Sequence, residues 1–294
     1  MYFVALILAF AFQLYGPPTK IATIQNPAVN ESSGLAASRS NPNVYWTHND
    51  SGDGPFVYAF DGTGESRGVF RVAGAKARDW EDMGVGPGPV RGESYLYLGD
   101  IGDNDEARSE IVVYRVAEPK VAAADKNSSK NNARTTSPAD AFRLRYPDGK
   151  HDAETLLVHP ATGDIYIITK VMLRNATVYV AAAPHVAGQV ITMKRLGEIK
   201  VPSLMGGVLT GGSISPDGRR LALCDYFNGY EAVLPTTSKS FDDIWKQPLK
   251  AFSLGQREQG EAITYRADGK ALLATSEGKQ PPLIQVELRL SNSQ

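Results

Sequence analysis

Five segments of the chain repeat one pattern of polar and apolar positions. In each, a polar or acidic residue precedes a short β-prone run, a turn and then a stronger apolar strand. The repeats align at Ser33, Glu81, Glu154, Thr210 and Glu261. A recurrence roughly every 40–50 residues, with about four short strands per unit, is typical of β-propellers.

The strand count predicts an all-β, five-bladed β-propeller, with six blades as the main alternative and a sandwich less compatible with the repeat. The last repeat lacks an outer strand, and "KIATIQ" near the N-terminus belongs to no repeat. We therefore expect this N-terminal strand to pair into the last blade and close the ring, which removes an exposed sheet edge. The propeller domain is predicted to span 20–294. A polar insertion at 121–138 is predicted to be a flexible loop.

The composition excludes some classes of function. The chain has 294 residues, 42% of them hydrophobic, with a formal net charge of −1. This balance, and the lack of Lys/Arg runs, gives no reason to expect nucleic-acid binding. The single cysteine, Cys224, can form neither an internal disulfide nor a Cys-based zinc site, and its apolar surroundings favour a buried thiol.

The first 16 residues are mostly apolar, too short to span a bilayer comfortably, and are typical of a signal-peptide core. Residues 1–16 therefore predict a secreted or periplasmic protein with no stable membrane span once the signal is removed. Anchoring by this N-terminal segment is the alternative.

Propeller geometry places the start of each first strand and the end of each second strand on one face, near the central channel. Acidic residues gather at these positions, whereas the opposite strand ends carry ordinary hairpin turns such as "PATGD" and "SPDGRR". The carboxylates predicted on this rim are those of Glu31, Asp50, Asp79, Glu81, Asp100, Asp152, Glu154, Asp225, Glu261 and Glu277.

Clustered carboxylates repel one another and need a neutralising partner. A hard cation such as Ca²⁺, which takes six to eight oxygen ligands, would serve. The candidate metal ligands are Asp50, Asp100, Asp103 and Asp152, from "NDSGDG", "GDIGDND" and the third repeat. The alternative is that these residues only cap turns.

The other rim residues suggest catalytic and substrate-binding groups. Glu154, Lys170 and His48 are the candidate catalytic residues, and Lys170 is also an alternative neutraliser of the rim. Asp79, Glu81, Glu261 and Arg78 are the candidate substrate-binding residues. Alternation along a strand predicts that Asp79 and Glu81 face the channel, whereas Asp82 holds the neighbouring loop.

The motifs "THNDSGDGPFVYAFD", "DWEDMGVGPG", "LYLGDIGDN" and "GEAITYRADGKALLATSEG" resemble secreted bacterial β-propeller proteins, mostly uncharacterised, over most of residues 25 to 290. The last motif and "DAETLLVHP" are also distantly similar to β-propeller phytases and phytase-like esterases. That second resemblance implies a calcium-rich acidic rim that binds phosphate, with Glu81, Glu154 and Glu261 at the matching positions. Of the phytases' cationic set, only Lys170 and Arg78 find a counterpart.

These observations favour a Ca²⁺-dependent hydrolase of phosphate or related esters, acting on the acidic rim. One alternative is a non-catalytic propeller that binds carbohydrate, peptide or ions. A second is a glycoside hydrolase that uses paired carboxylates such as Glu154 and Asp79. In each case a small molecule or glycan is the expected ligand at the central channel.

Overall fold

The structure is a computed structural model that describes residues 15–289, and it is an all-β, five-bladed β-propeller. The strands are, in chain order, β1 (Thr19–Thr23), β2 (Ser32–Ala37), β3 (Val44–Asn49), β4 (Phe56–Asp61), β5 (Ser66–Ala73), β6 (Trp80–Pro87), β7 (Ser94–Asp100), β8 (Ile111–Ala117), β9 (Arg134–Pro138), β10 (Asp140–Arg145), β11 (Ala153–Val158), β12 (Ile165–Thr169), β13 (Val171–Met172), β14 (Ala176–Ala181), β15 (Val190–Thr192), β16 (Lys194–Ile199), β17 (Gly206–Gly207), β18 (Gly211–Ile214), β19 (Arg220–Cys224), β20 (Asn228–Val233), β21 (Lys250–Ser253), β22 (Gly260–Tyr265), β23 (Ala271–Ser276) and β24 (Pro282–Glu287). Short 3-10 helices occupy Ala123–Asn127, Lys130–Asn132 and Phe241–Lys246.

The five sheets confirm the predicted blade count and closure. The innermost strands are β2, β6, β11, β18 and β22, and each begins an antiparallel meander that runs outward from the axis. In the fifth blade, β1 pairs with β24, with Thr19 opposite Gln285 and Thr23 opposite Pro282. The N-terminal strand thus supplies the missing outer strand, and both ends of the chain hold the ring closed.

Two blades carry an additional parallel strand at the outer edge. Strand β9 pairs with β5 of the first blade, and β15 pairs with β10 of the second. The 121–138 insertion contains β9 and two of the 3-10 helices. Its composition predicted only a flexible loop and no strand; its flexibility stays a prediction.

The hydrophobic core is divided into five clusters, and each lies between two neighbouring blades. Between the second and third blades, for example, Tyr97 and Phe142 pack with Leu156 and Ile167. The strands read as continuous apolar runs such as "IYIIT" because both of their faces are buried between blades. This packing fixes how far each innermost strand projects toward the axis.

A β-bulge interrupts the innermost strand near its start in four of the five blades. The pairing register shifts around Ser33 in β2, Glu81 in β6, Glu154 in β11 and Glu261 in β22. These are the residues at which the sequence repeats align. A bulge leaves one residue out of the ladder and re-aims its side chain, so the repeated polar residue turns toward the channel entrance.

The predicted signal peptide, residues 1–16, lies outside the described residues except for Tyr15 and Gly16, and secretion stays a prediction. Within 15–289 no helix has the length and apolar character needed to cross a membrane.

Candidate functional site

The channel entrance at the start of the innermost strands is lined by carboxylates. We call this group the acidic mouth and define it as Asp50, Asp79, Glu81, Asp152, Glu154 and Glu261. Asp50 follows β3, Asp79 precedes β6, and Glu81 is the bulge residue of β6. One carboxylate oxygen from each of these three lies within 4.8 Å of the others. The predicted orientation of Asp79 and Glu81 toward one side is therefore observed.

Gly102, in the loop after β7, lies directly against two of these carboxylates. A Cβ atom at this position would be 2.2 Å from Glu81 Oε1 and 2.4 Å from Asp79 Oδ2. Real Cβ atoms do not approach oxygen so closely, so only glycine leaves both carboxylates in these positions. The "GDIGDND" loop thereby packs directly against the carboxylates of Glu81 and Asp79.

Glu154 and Lys170 form an ion pair on the third-blade side of the mouth. Lys170 bonds through Nζ to Glu154 Oε1, and its ammonium lies 5.3 Å from the centre of the Tyr226 ring. The other oxygen, Glu154 Oε2, is buried and has no hydrogen-bond partner. One oxygen of this carboxylate thus has a cationic partner, and the other lacks the hydrogen bond that a buried oxygen usually accepts.

The pKa values of the mouth residues are raised. Burial, with the neighbouring acids, raises the pKa of Glu154 to about 7 even though Lys170 opposes the shift. Burial and the charge of Glu154 raise the pKa of Glu261 to about 9, and burial and Asp50 raise that of Asp79 to about 6. The pKa of Glu81 is raised well above its usual value by burial and by Glu154. These shifts favour protonated carboxyl groups at neutral pH, because full ionisation would place more negative charge in the mouth than its own residues stabilise.

Burial opposes the charged form of Lys170, but the adjacent Glu154 carboxylate outweighs burial and raises the lysine pKa. Lys170 therefore stays charged over the ordinary pH range. One ammonium, already paired with Glu154, cannot balance the whole cluster.

Asp82 is fully buried on the channel axis. Its carboxylate accepts the backbone N–H groups of Met83 at 2.8 Å, Leu156 at 3.1 Å and Gly212 at 3.1 Å. Leu156 and Gly212 belong to the innermost strands of the third and fourth blades. The expectation that Asp82 holds a neighbouring loop was wrong, because the bulge at Glu81 shifts the alternation and turns Asp82 inward.

Asp100 and Asp103, two of the predicted metal ligands, have protein donors of their own. Asp100 forms a buried ion pair with Arg108 at 2.9 Å, and Asp103 accepts the N–H groups of Ala107 and Arg108. A third predicted ligand, Asp152, accepts the Asp103 N–H through Oδ1 at 2.8 Å. Of the four predicted ligands, only Asp50 belongs to the group of three converging carboxylates.

His48 and Arg78 lie outside the mouth. His48 is fully buried and packs edge-on against Trp80, with ring centres 5.4 Å apart. Its imidazole also packs against Gly34, where a Cβ atom would lie 2.4 Å from Nε2. Burial lowers its pKa, so the neutral imidazole is favoured. The side chain of Arg78 is exposed, and its backbone N–H donates to Asp100. Neither side chain joins the three converging carboxylates.

The donor set of the mouth fits a hard divalent cation. Asp50, Asp79 and Glu81 supply three converging oxygens, and the buried Glu154 carries a free fourth. Oxygen-only ligands of this kind suit Ca²⁺ or Mg²⁺. A cation bound to the deprotonated carboxylates would also offset the charge repulsion that raises their pKa values.

The pattern of aligned acids did not point to Gly102, Arg108 or Tyr226. Gly102 had one available signal, since a glycine between two aspartates in "GDIGDND" is typical of a backbone that passes close to a ligand or a charged group. The roles of Arg108 and Tyr226 depend on contacts made in three dimensions and had no sequence signal.

A scan against protein-family models and a search of curated proteins found no match for this chain.

Proposed function

We propose that the acidic mouth binds a divalent cation, Ca²⁺ in the first instance, and hydrolyses a phosphate ester or related ester there. The observation that carries the proposal is the convergence of Asp50, Asp79 and Glu81 within 4.8 Å above Gly102. Such a cluster is costly unless something positive occupies it. The distant resemblance to phytase-like propellers agrees with this proposal.

The chain's own residues would divide the work. Asp50, Asp79 and Glu81 would hold the cation, which supplies Lewis acidity and neutralises an anionic substrate when it is bound. Glu154, with a pKa raised to about 7 and Oε2 unpartnered, is suited to accept a proton from water near neutral pH. Lys170 would stabilise negative charge that develops on the substrate. His48 has no part in this proposal because its side chain is fully buried and does not belong to the group of converging carboxylates.

The test is hydrolysis of phosphate esters, carboxyl esters and lactones with Ca²⁺, by wild type and by Glu154→Gln. Loss of a proton acceptor typically costs about 10²–10⁴-fold in rate. The matched control is Glu287→Gln, an exposed residue of β24, which should retain wild-type activity. Cation binding without turnover of any ester would overturn the hydrolase and favour a non-catalytic binding propeller instead.

A further inference from the structure

The four most exposed large apolar side chains in residues 15–289 lie on the same face as the acidic mouth. Their exposed fractions are 64% for Met172, 75% for Leu173, 98% for Leu204 and 62% for Phe227. We call these four residues the hydrophobic ledge. Solvent-exposed apolar residues are unremarkable singly, but a group of them indicates a binding surface.

Backbone contacts hold the ledge together. Met172 in β13 pairs with Gly206 in β17, and the Leu173 N–H donates to Met205 O at 2.9 Å. Leu173 has a positive φ of 58°, which is unfavourable for a leucine and turns the chain between β13 and β14. The two-stranded β13–β17 sheet thus presents Leu173 and Leu204 outward from a fixed backbone.

The ledge is continuous with the acidic mouth through Asp225 and Tyr226. Ser203 Oγ, beside Leu204, donates to Asp225 Oδ2 at 3.1 Å, and the Phe227 N–H donates to Asp225 Oδ1 at 2.8 Å. The Tyr226 ring lies 6.4 Å from that of Phe227 and 5.3 Å from the Lys170 ammonium, which pairs with Glu154. A path of contacts therefore leads from the ledge to the unpartnered Glu154 oxygen.

We infer that the substrate is an amphiphile, a single molecule whose anionic or ester head binds in the acidic mouth and whose alkyl portion lies on the hydrophobic ledge. This inference rests on the proposed function, since it assigns a substrate class to the same site. An inorganic or sugar-like phosphate would use the mouth alone and would leave the ledge uncovered. An amphiphile, with its head in the mouth and its alkyl portion on the ledge, accounts for both surfaces and for their adjacency.

Calorimetry with non-hydrolysable alkylphosphonates tests the inference in the presence of Ca²⁺. Ethyl-, butyl- and octylphosphonate are titrated below their aggregation concentrations into the wild-type chain. Fully burying a methylene corresponds to about fourfold in affinity, and an open ledge recovers part of this. We expect octylphosphonate to bind at least about tenfold more tightly than ethylphosphonate.

Leu173→Asn with Phe227→Ser should abolish most of that chain-length dependence and leave ethylphosphonate affinity unchanged. Asparagine tolerates the positive φ at position 173, so the backbone of the β13–β17 sheet is preserved. The matched control is Val233→Ser, which removes an exposed side chain at the opposite end of β20.

The outcomes separate the two proposals. Equal affinity for all chain lengths, or a chain-length dependence that survives in the double variant, overturns the amphiphile while leaving the cation-dependent mouth intact. Binding only above the aggregation concentration means that the ledge recognises a lipid surface, which also overturns it. A wild-type chain that binds none of the series with Ca²⁺ overturns the proposed function and this inference together.

Discussion

The two ends of the channel contain the same residue types in opposite electrostatic states. At the acidic mouth, burial and like charges raise the pKa values of Asp79 and Glu154 to about 6 and about 7. At the opposite end, which we call the turn face, hairpin donors hold aspartates in their charged form. Arg266 lowers the pKa of Asp268, and bonds from Ser215 and the Arg219 N–H outweigh burial and lower that of Asp217.

The difference lies in where the hydrogen-bond donors are. On the turn face, tight turns direct backbone N–H groups at each aspartate, as in "SPDGRR". At the acidic mouth, bulges direct carboxylates at one another, and the space beneath the cluster is closed by Gly102. A carboxylate in a turn stabilises its own hairpin, whereas the carboxylates of the mouth repel one another, and protonation or the proposed cation would relieve that repulsion.

The channel interior also differs between the two ends. Towards the turn face it contains a cavity of about 70 Å³ lined largely by small and apolar side chains, among them Ala36, Val85 and Ile214. Asp82 lies between this cavity and the mouth and bonds to strands of three blades. Within residues 15–289, only the mouth offers converging carboxylates that could hold a metal ion.

The largest predicted effect on stability is that of replacing Asp82, which lies between the acidic mouth and the turn-face half of the channel. Asp82→Ala leaves the N–H groups of Leu156 and Gly212 unpaired in a buried site, at roughly 1–3 kcal/mol each. We expect the free energy of unfolding in urea to fall by about 4 kcal/mol, and by less for Asp82→Asn, which keeps an acceptor oxygen. A loss below about 1 kcal/mol for the alanine variant would show that the carboxylate does not join the blades.

The pH dependence of stability should follow the mouth rather than the turn face. The folded pKa of Glu154 is about 7 and that of Glu261 about 9, both above the usual 4.5. Between the usual value and each raised value, the folded state therefore binds more protons than the unfolded state. The metal-free protein should therefore lose stability as the pH rises from about 5 to about 9. The Glu154 shift alone corresponds to at most about 3 kcal/mol, or a decrease in Tm of several degrees.

Differential scanning calorimetry with a chelator present measures this decrease. Added Ca²⁺ should restore more stability at pH 8–9 than at pH 5, because protons compete with the cation. A metal-free Tm that rises steadily between pH 5 and pH 9 would contradict the raised pKa values.

A matched pair of substitutions should have effects of opposite sign at pH 8 without metal. Asp79→Asn removes a charge that is disfavoured, so we expect about 1 kcal/mol of stabilisation after allowing for partial exposure. Asp217→Asn removes a favoured charge with its hydrogen bonds, so we expect about 1 kcal/mol of destabilisation. Urea unfolding of both variants decides the point, and effects of the same sign would remove the contrast between the two ends.

Gly102→Ala should have the smallest effect on folding. The added Cβ would displace the ends of the Glu81 and Asp79 side chains, which can swing aside at little cost to the fold. We expect less than about 1 kcal/mol of change in stability. Convergence of the carboxylates would be lost, so Ca²⁺ affinity measured by calorimetry should fall at least about tenfold. Unchanged affinity would place the cation elsewhere.

The blade count and the closure by β1 could be predicted from sequence because they depend on local signals, namely strand runs, hairpin turns and their period. The position of Asp82 could not, since a single bulge at Glu81 reverses which side of the strand each later residue faces. The strand β9 was also missed, because "RTTSP" carries little strand signal and its partner β5 is distant in the chain. The β-branched "VIT" of β15 favours a strand, but nothing in the sequence shows that it pairs with β10 of the second blade.

The candidate site was predicted in outline only. The repeat identified Glu81 and Glu154 because the bulge falls at the repeating position, Asp79 because it precedes the innermost strand β6, and Asp50 because it follows the second strand β3. Asp100 and Asp103 resembled metal ligands in sequence, yet Arg108 and nearby N–H groups bind them. The sequence shows which acids are close in the chain, but it does not show which donors reach them.

A calorimetric Ca²⁺ titration at pH 8 tests whether Asp50, Asp79 and Glu81 form a cation site. Chelator-treated wild type is compared with the Asp79→Asn/Glu81→Gln double variant, which removes two of the three ligands. We expect one Ca²⁺ per chain in the wild type and affinity at least about a hundredfold weaker in the double variant, a loss of some 2.7 kcal/mol. No Ca²⁺ binding by the wild type, or equal affinity in both proteins, would contradict it.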